Sequence, residues 1–132
     1  MRLWHQSLIS KLPRAQILGQ HREICALRGN GWGKKHSTVD YVFKYEPEYL
    51  IAFHFLVMRE MNDRGYKVDE NWLNSRYRGK NCEPYDADGL SDLMGNLLVG
   101  DALYEGKMIF KEHNDQYLQE CLQNLKMKGY KQ

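Results

Sequence analysis

The stretch Pro47-Glu-Tyr-Leu-Ile-Ala-Phe-His-Phe-Leu-Val-Met-Arg-Glu-Met-Asn-Asp-Arg-Gly65 decides the fold. Tyr49, Leu50, Phe53, Leu56, Val57 and Met61 recur at the three- and four-residue spacing of a helix, predicting one from about 47 to 64. Proline suits the first turn, where its missing N–H costs nothing, and Gly65 supplies the stop. Near its middle this helix is apolar almost all round, so it belongs at the centre of the molecule. Its apolar run is broken by His54 and is far too short to cross a bilayer. His54, set among apolar neighbours, reads as a hydrogen-bonded core histidine.

Working outward, a second helix is expected over 13–28, opened by Ser10 with Pro13 and ended by Gly29-Asn-Gly31. Ile17, Leu18, Ile24 and Cys25 form its apolar side, and Arg14, His21 and Arg28 run along the same side at a spacing of seven. Ala15, Gly19 and Ala26 lie opposite, small enough to admit another backbone, with Glu23 beside them. Residues 1–9 read as an extended arm anchored by Leu3, Trp4, Leu8 and Ile9. Thr38–Tyr45 is β-prone but has no partner strand, and reads as an extended connector or a short helical turn. Residues 67–86 suggest an ordered loop. Leu90, Leu93, Met94, Leu97 and Leu98 suggest a helix near 87–99. The last helix runs from about 114 to 128, capped by Asn114 or Asp115, with Leu118, Cys121, Leu122 and Leu125 as its buried stripe. The class is all-α: three to four helices, long ordered loops and an N-terminal arm. Tyr49-Leu50 and Arg64-Gly-Tyr-Lys67 are echoed by Tyr117-Leu118 and Lys128-Gly-Tyr-Lys131.

The chain has 132 residues, 42% hydrophobic and 27% charged, which fits one domain over 1–132 and argues against wholesale disorder. Cys25, Cys82 and Cys121 form no close pair, which speaks against a disulfide framework or zinc ribbon. With no secretory-type leader at the start, a cytoplasmic protein is expected. The net charge is only +2, but it is unevenly spread. Residues 1–44 hold eight Lys or Arg against Glu23 and Asp40, while the remaining 88 residues hold 11 bases and 15 acids. A basic third that also holds His5, His21 and His36 is either a solvated face or the footprint of a polyanion, most simply nucleic acid. Glu23, in the middle of that basic region, would repel phosphate and needs its own explanation. The loop Arg28-Gly-Asn-Gly-Trp-Gly-Lys-Lys-His36 can bring N–H groups, ammonium groups and an indole to a phosphate or base, or be a plain connector. It lacks the Gly-Lys-Ser/Thr ending of a Walker loop.

Leu12-Pro-Arg-Ala-Gln-Ile-Leu-Gly-Gln-His-Arg-Glu23, preceded by Met1-Arg2-Leu3, resembles the first helix and arm of the pyrimidine-dimer DNA glycosylases of the bacteriophage endonuclease V type. The likeness continues loosely through His36 and Arg64-Gly65-Tyr66, over roughly residues 1–80. With His21-Arg22-Glu23 and the Trp32-Gly-Lys-Lys-His36 loop, the chain looks most like the small cellular branch of that family. The resemblance implies an all-α enzyme that removes a damaged base and then cleaves the strand at the abasic site. The family's nucleophile is the N-terminal α-amine, which forms a Schiff base with the sugar. Physical chemistry agrees, because an α-amine titrates at about 8 and a lysine at about 10.4, so the terminal amine is already partly neutral at pH 7. Neighbouring positive charge lowers it further. The bulk of Arg2 disfavours removal of the initiator residue, so Met1 itself is the expected nucleophile.

On this resemblance Glu23 is expected to stabilise the developing imminium cation and shuttle protons, the alternative being a plain ion pair with Arg22, Lys11 or Arg28. Reach allows the first role, since twelve extended residues cover roughly 40 Å and helix positions 13 to 23 span about 15 Å. Arg2, Arg22, Arg28, Lys34 and Lys35 are expected on phosphates, Trp32 on a displaced base, and His21 and His36 on phosphate or sugar. The implied partner is double-stranded DNA with damaged bases or abasic sites, bound by a monomer on the nucleoid, with no cofactor, metal or membrane. Two departures leave the lesion open: Gln16 stands where the phage enzyme has a histidine, and its aromatic basic tail is missing. Asp86, Asp88, Asp92 and Asp101 should face away from DNA. Alternatives are a non-catalytic nucleic-acid-binding module, an interaction protein that binds no nucleic acid, and a metal nuclease built on His5, His21 and His36. The last lacks a close His-x-x-x-His pair.

Overall fold

A computed structural model of the protein describes residues 2–34, 38–85 and 107–130. Among these residues it is helical with no strand: α1 (Arg14–Arg28), α2 (Pro47–Asp63) and α3 (Asp115–Met127), joined by 3-10 helices at Gln6–Lys11, Asp40–Lys44 and Glu70–Leu73. The helix expected at 87–99, with the four aspartates from Asp86 to Asp101, lies outside the described residues.

The middle of α2 is buried on every side, as its composition predicts. Leu50, Ile51, Ala52, Phe53 and His54 are consecutive, and none exposes any surface. Leu3, Trp4, Leu8, Ile9 and Leu12 come to this core from the arm, Ile17, Ile24 and Leu27 from α1, Ile109 and Phe110 from the approach to α3, and Cys121 and Leu125 from α3 itself. Fully burying one such side chain is worth roughly 1.5–3 kcal/mol, so the core dominates over any surface charge pair.

The echo between the ends of α2 and α3 is structural. Gly65 and Gly129 both have positive φ (81° and 90°), and the next residue in each case, Tyr66 or Tyr130, donates its N–H back to Met61 or Leu125. This is one helix stop used twice. At the start of α3, the Asn114 side chain accepts from the Tyr117 N–H, as the cap reading expects. The solitary β-prone segment resolves into a helical turn, Asp40–Lys44.

Three expectations are corrected. The arm is extended only over residues 2–5. It then turns into the 3-10 helix Gln6–Lys11, whose first turn is capped by His5 Nδ1 accepting from the Ser7 N–H at 3.1 Å. That turn brings Leu8, Ile9 and Leu12 inward together. Ser10 lies within it, and Pro13 takes the N-cap position of α1 with no side-chain cap. The buried face of α1 is Ile17, Gln20, Ile24, Leu27 and Arg28, with Leu18 and Cys25 only half-buried. Finally, among the described residues no backbone from outside α1 comes within 4 Å of a Cβ built on Gly19, on the Ala15–Gly19–Ala26 side. Both alanines are exposed, and the nearest atom to a Cβ built on Gly19 is the Arg22 side chain at 3.9 Å.

Candidate nucleic-acid site and the arm beside Glu23

The arm instead crosses α1 at Gln20, a lone amide in the apolar stripe between Ile17 and Ile24. Gln20 is 1% exposed. Its Oε1 accepts from the Trp4 N–H at 2.7 Å, and its Nε2 donates to the Arg2 carbonyl at 3.0 Å. The same Nε2 lies 3.4 Å from Oε2 of Glu23, one turn on. The first described residue of the arm is thereby tied next to the only acid of α1.

Glu23 is half-buried, and desolvation pushes its carboxyl above the ordinary range. The positive charges of the amino terminus, Arg22 and Lys128 oppose that rise. A carboxyl with a raised proton affinity that still faces positive charge is suited to exchanging a proton or facing a cation. Met1, Lys35 and His36 lie outside the described residues.

The arm is also gripped from α3 and its approach. The Tyr117 hydroxyl donates to the Leu3 carbonyl. The Gln6 N–H donates to His113 Nδ1 at 3.1 Å, while the Gln6 side chain accepts from Ile109 N–H at 2.8 Å and donates to the Lys107 carbonyl at 3.1 Å. His113 is 2% exposed, and its Nε2 meets the Tyr41 hydroxyl at 2.7 Å. Burial, then the neighbouring His5, brings its pKa down to about 3.

The other expected DNA contacts divide. Arg22 and Lys34 are exposed, and Arg2 is half-buried with its guanidinium 5.9 Å from the Trp4 ring centre. Trp32 is half-buried and edge-on to Phe43, with ring centres 4.9 Å apart. In the glycine loop, a Cβ on Gly29 would meet the Arg78 carbonyl oxygen at 2.6 Å, and one on Gly31 the Ala26 carbonyl oxygen at 2.8 Å. Those two glycines serve close packing.

Arg28 does not clamp phosphate. Its side chain is fully buried, donating at 2.9 Å to the carbonyls of Trp72, Asn74 and Tyr77 and to His54 Nδ1, with its guanidinium 5.1 Å from the Trp72 ring centre. Its own carbonyl accepts from Arg78 and Tyr85. His21 is likewise turned inward, its Nδ1 2.8 Å from His54 Nε2. His54 is the core histidine the sequence suggested.

Sequence reading missed the cluster of His21, Cys25 and His54, whose ligand-type atoms all lie within 4.8 Å of one another. Such a trio can be drawn around a metal ion, but Arg28 argues against one. A guanidinium only donates, so His54 Nδ1 must accept and the imidazole proton sits on Nε2, pointing at His21 Nδ1. A metal on Nε2 would need that proton on Nδ1, against the guanidinium. Burial lowers the pKa of both histidines and raises the Cys25 thiol to about 12, which suits neutral hydrogen-bonded groups. His5 packs on His113, with ring centres 5.5 Å apart, and is not a member of the His21–Cys25–His54 group.

Fold and site together define an all-α protein with a basic amino-terminal third, whose arm is pinned beside a desolvated acid. The chain belongs to the pyrimidine dimer DNA glycosylase family, whose model matches residues 1–74, more than half of its length. Membership makes it a DNA-repair glycosylase that binds damaged DNA. Comparison with curated proteins finds no significant match, and comparison with solved structures finds none either.

Proposed function

We propose that the protein is a bifunctional glycosylase and abasic-site lyase, with the α-amine of Met1 as nucleophile and Glu23 as its proton-transfer partner. The observation that carries this reading is the tether from Gln20 to Arg2 and Glu23, because it brings the arm's first described residue to the acid.

The neutral amine attacks C1′ of the deoxyribose, and the damaged base departs with the electrons of its glycosidic bond, taking up a proton. Glu23, as its carboxylic acid, protonates O4′ as the C1′–O4′ bond breaks, and the resulting carboxylate stabilises the imminium cation left at C1′. Glu23 then removes a proton from C2′, the 3′ phosphate leaves by β-elimination, and water releases the enzyme from the sugar. Arg2, Arg22, Lys34, Lys35 and His36 bind the flanking phosphates, and the open part of Trp32 takes the gap left by the extruded base. The substrate is duplex DNA carrying a pyrimidine dimer, another damaged base or an abasic site, met on the nucleoid in the cytoplasm by a monomer.

Untagged protein incubated with abasic duplex and a borohydride reductant should become covalently joined to the DNA through its first residue, with chelator making no difference. Acetylation of the terminal amine should abolish the adduct. Salt-sensitive DNA binding without any adduct would leave only a binding module.

A further inference from the structure

We infer that Gln20 is the positioning residue of this site, a single amide that sets the arm and the acid relative to one another; the inference rests on the amine-nucleophile reading. Three partners converge on it, and they do not all ask for the same thing. The Trp4 N–H needs an acceptor, while the Arg2 carbonyl and the Glu23 carboxylate each need a donor. A primary amide is the one side-chain group of this size that supplies one acceptor and two donors in a single plane. A carboxylate of the same shape satisfies Trp4 alone, and a methionine satisfies none of the three.

Burial makes the arrangement specific. At 1% exposure, Gln20 has no water to substitute for a lost partner, so its amide plane is fixed by the arm on one side and Glu23 on the other. Ile17 and Ile24, both fully buried, flank it on its own helix and hold the stem. A purely structural anchor would need only the two arm contacts. The third, to Oε2 of Glu23, ties the acid's rotamer to the same group that sets the position of Arg2. The terminal amine stands one residue beyond that anchored carbonyl, so Gln20 sets both reacting partners without touching substrate.

The charged groups facing Glu23 are Arg22 on its own helix, Lys128 at the end of α3 and the amino terminus. All three are positive, so a new carboxylate at position 20 changes the local balance in one direction. It raises the proton affinity of both Glu23 and the amine.

The experiment compares wild type with Gln20→Glu, both untagged, in single-turnover borohydride trapping on saturating abasic duplex across pH, with duplex affinity and thermal midpoint measured alongside. The expected result is a trapping rate lower by about tenfold or more at saturation, with the acid limb of the rate moved to higher pH. A lowered thermal midpoint with an unmoved acid limb and a wild-type rate would overturn the inference and leave Gln20 a simple anchor, with the nucleophile assignment intact. If wild type itself forms no adduct, the proposed function fails and this inference with it. Should Gln20→Glu not fold, Gln20→Met, close in volume and unbranched, carries the same test of rate: a tenfold loss supports the inference and an unchanged rate overturns it.

Discussion

Nη1 of Arg28, at the end of α1, lies 2.9 Å from Nδ1 of His54 in the middle of α2. One guanidinium therefore joins the two principal helices and, through the carbonyls of Trp72, Asn74 and Tyr77, fastens the following loop to both. Arg28→Met removes every one of these donors from a buried setting. Since an orphaned buried acceptor costs about 1–3 kcal/mol, the variant should lose about 3 kcal/mol or more in urea unfolding. A loss below about 1 kcal/mol would mean the carbonyls find other partners. Arg22→Ala, by contrast, should leave stability within about 0.5 kcal/mol and reduce the salt dependence of duplex binding by about one phosphate contact.

Glu23→Gln keeps the shape of the acid and removes its charge and basicity. Strand cleavage at an abasic site should fall by about a hundredfold or more, while duplex affinity is retained. Normal cleavage by this variant would remove Glu23 from the mechanism.

Glycine positions in and beside α1 should behave in opposite ways. Gly29→Ala drives a methyl to 2.6 Å from the Arg78 carbonyl oxygen, backbone that cannot swing aside, and should destabilise by about 1–3 kcal/mol. Gly19→Ala meets only a flexible arginine tip at 3.9 Å and should stabilise by up to about 1 kcal/mol, since alanine is the better helix former. Chemical denaturation of the two variants checks the pair.

Acid should weaken the fold through its histidines. Burial lowers the pKa of His5, His21, His54 and His113 in the folded protein, whereas the unfolded chain takes up these protons near pH 6.5. The unfolded state thus binds more protons below that pH, and stability present above about 6.5 drains away as pH falls. His113, brought from 6.5 to about 3, alone accounts for about 2 kcal/mol of that loss at pH 5. Glu23 acts in the opposite sense, its raised folded pKa removing stability as pH climbs past the unfolded value of 4.5. Thermal midpoints between pH 5 and 7.5 should therefore rise with pH, and His113→Gln should flatten part of the slope.

Much of this was readable from residue pattern. The apolar periodicity of 47–64, the Asn114 cap, the twin glycine stops and the buried nature of His54 all express local rules that act over a few residues. The burial of Arg28 was not readable, because its partners are main-chain carbonyls of a loop some 44 to 49 positions away, and carbonyls carry no side-chain signature. The turn at Gln6–Lys11 was hidden for a related reason: a short 3-10 helix has little periodicity of its own, and this one is set by the arm's tertiary contacts. Gln20 left one usable sign, a lone amide where the stripe of Ile17 and Ile24 calls for an apolar residue. His21, Cys25 and His54 come together only when two helices pack.

The hydroxyl of Tyr117 reaches the Leu3 carbonyl across 114 positions of chain. During synthesis the opening residues therefore emerge long before the group that clasps them has been made. A polypeptide still on the ribosome, even with all of residues 1–74 free, has no α3 to close on its beginning. The full grip on the arm is thus postponed until α3 has been made, and a copy cut short before that helix holds its leading segment through Gln20 but without the clasp of Tyr117.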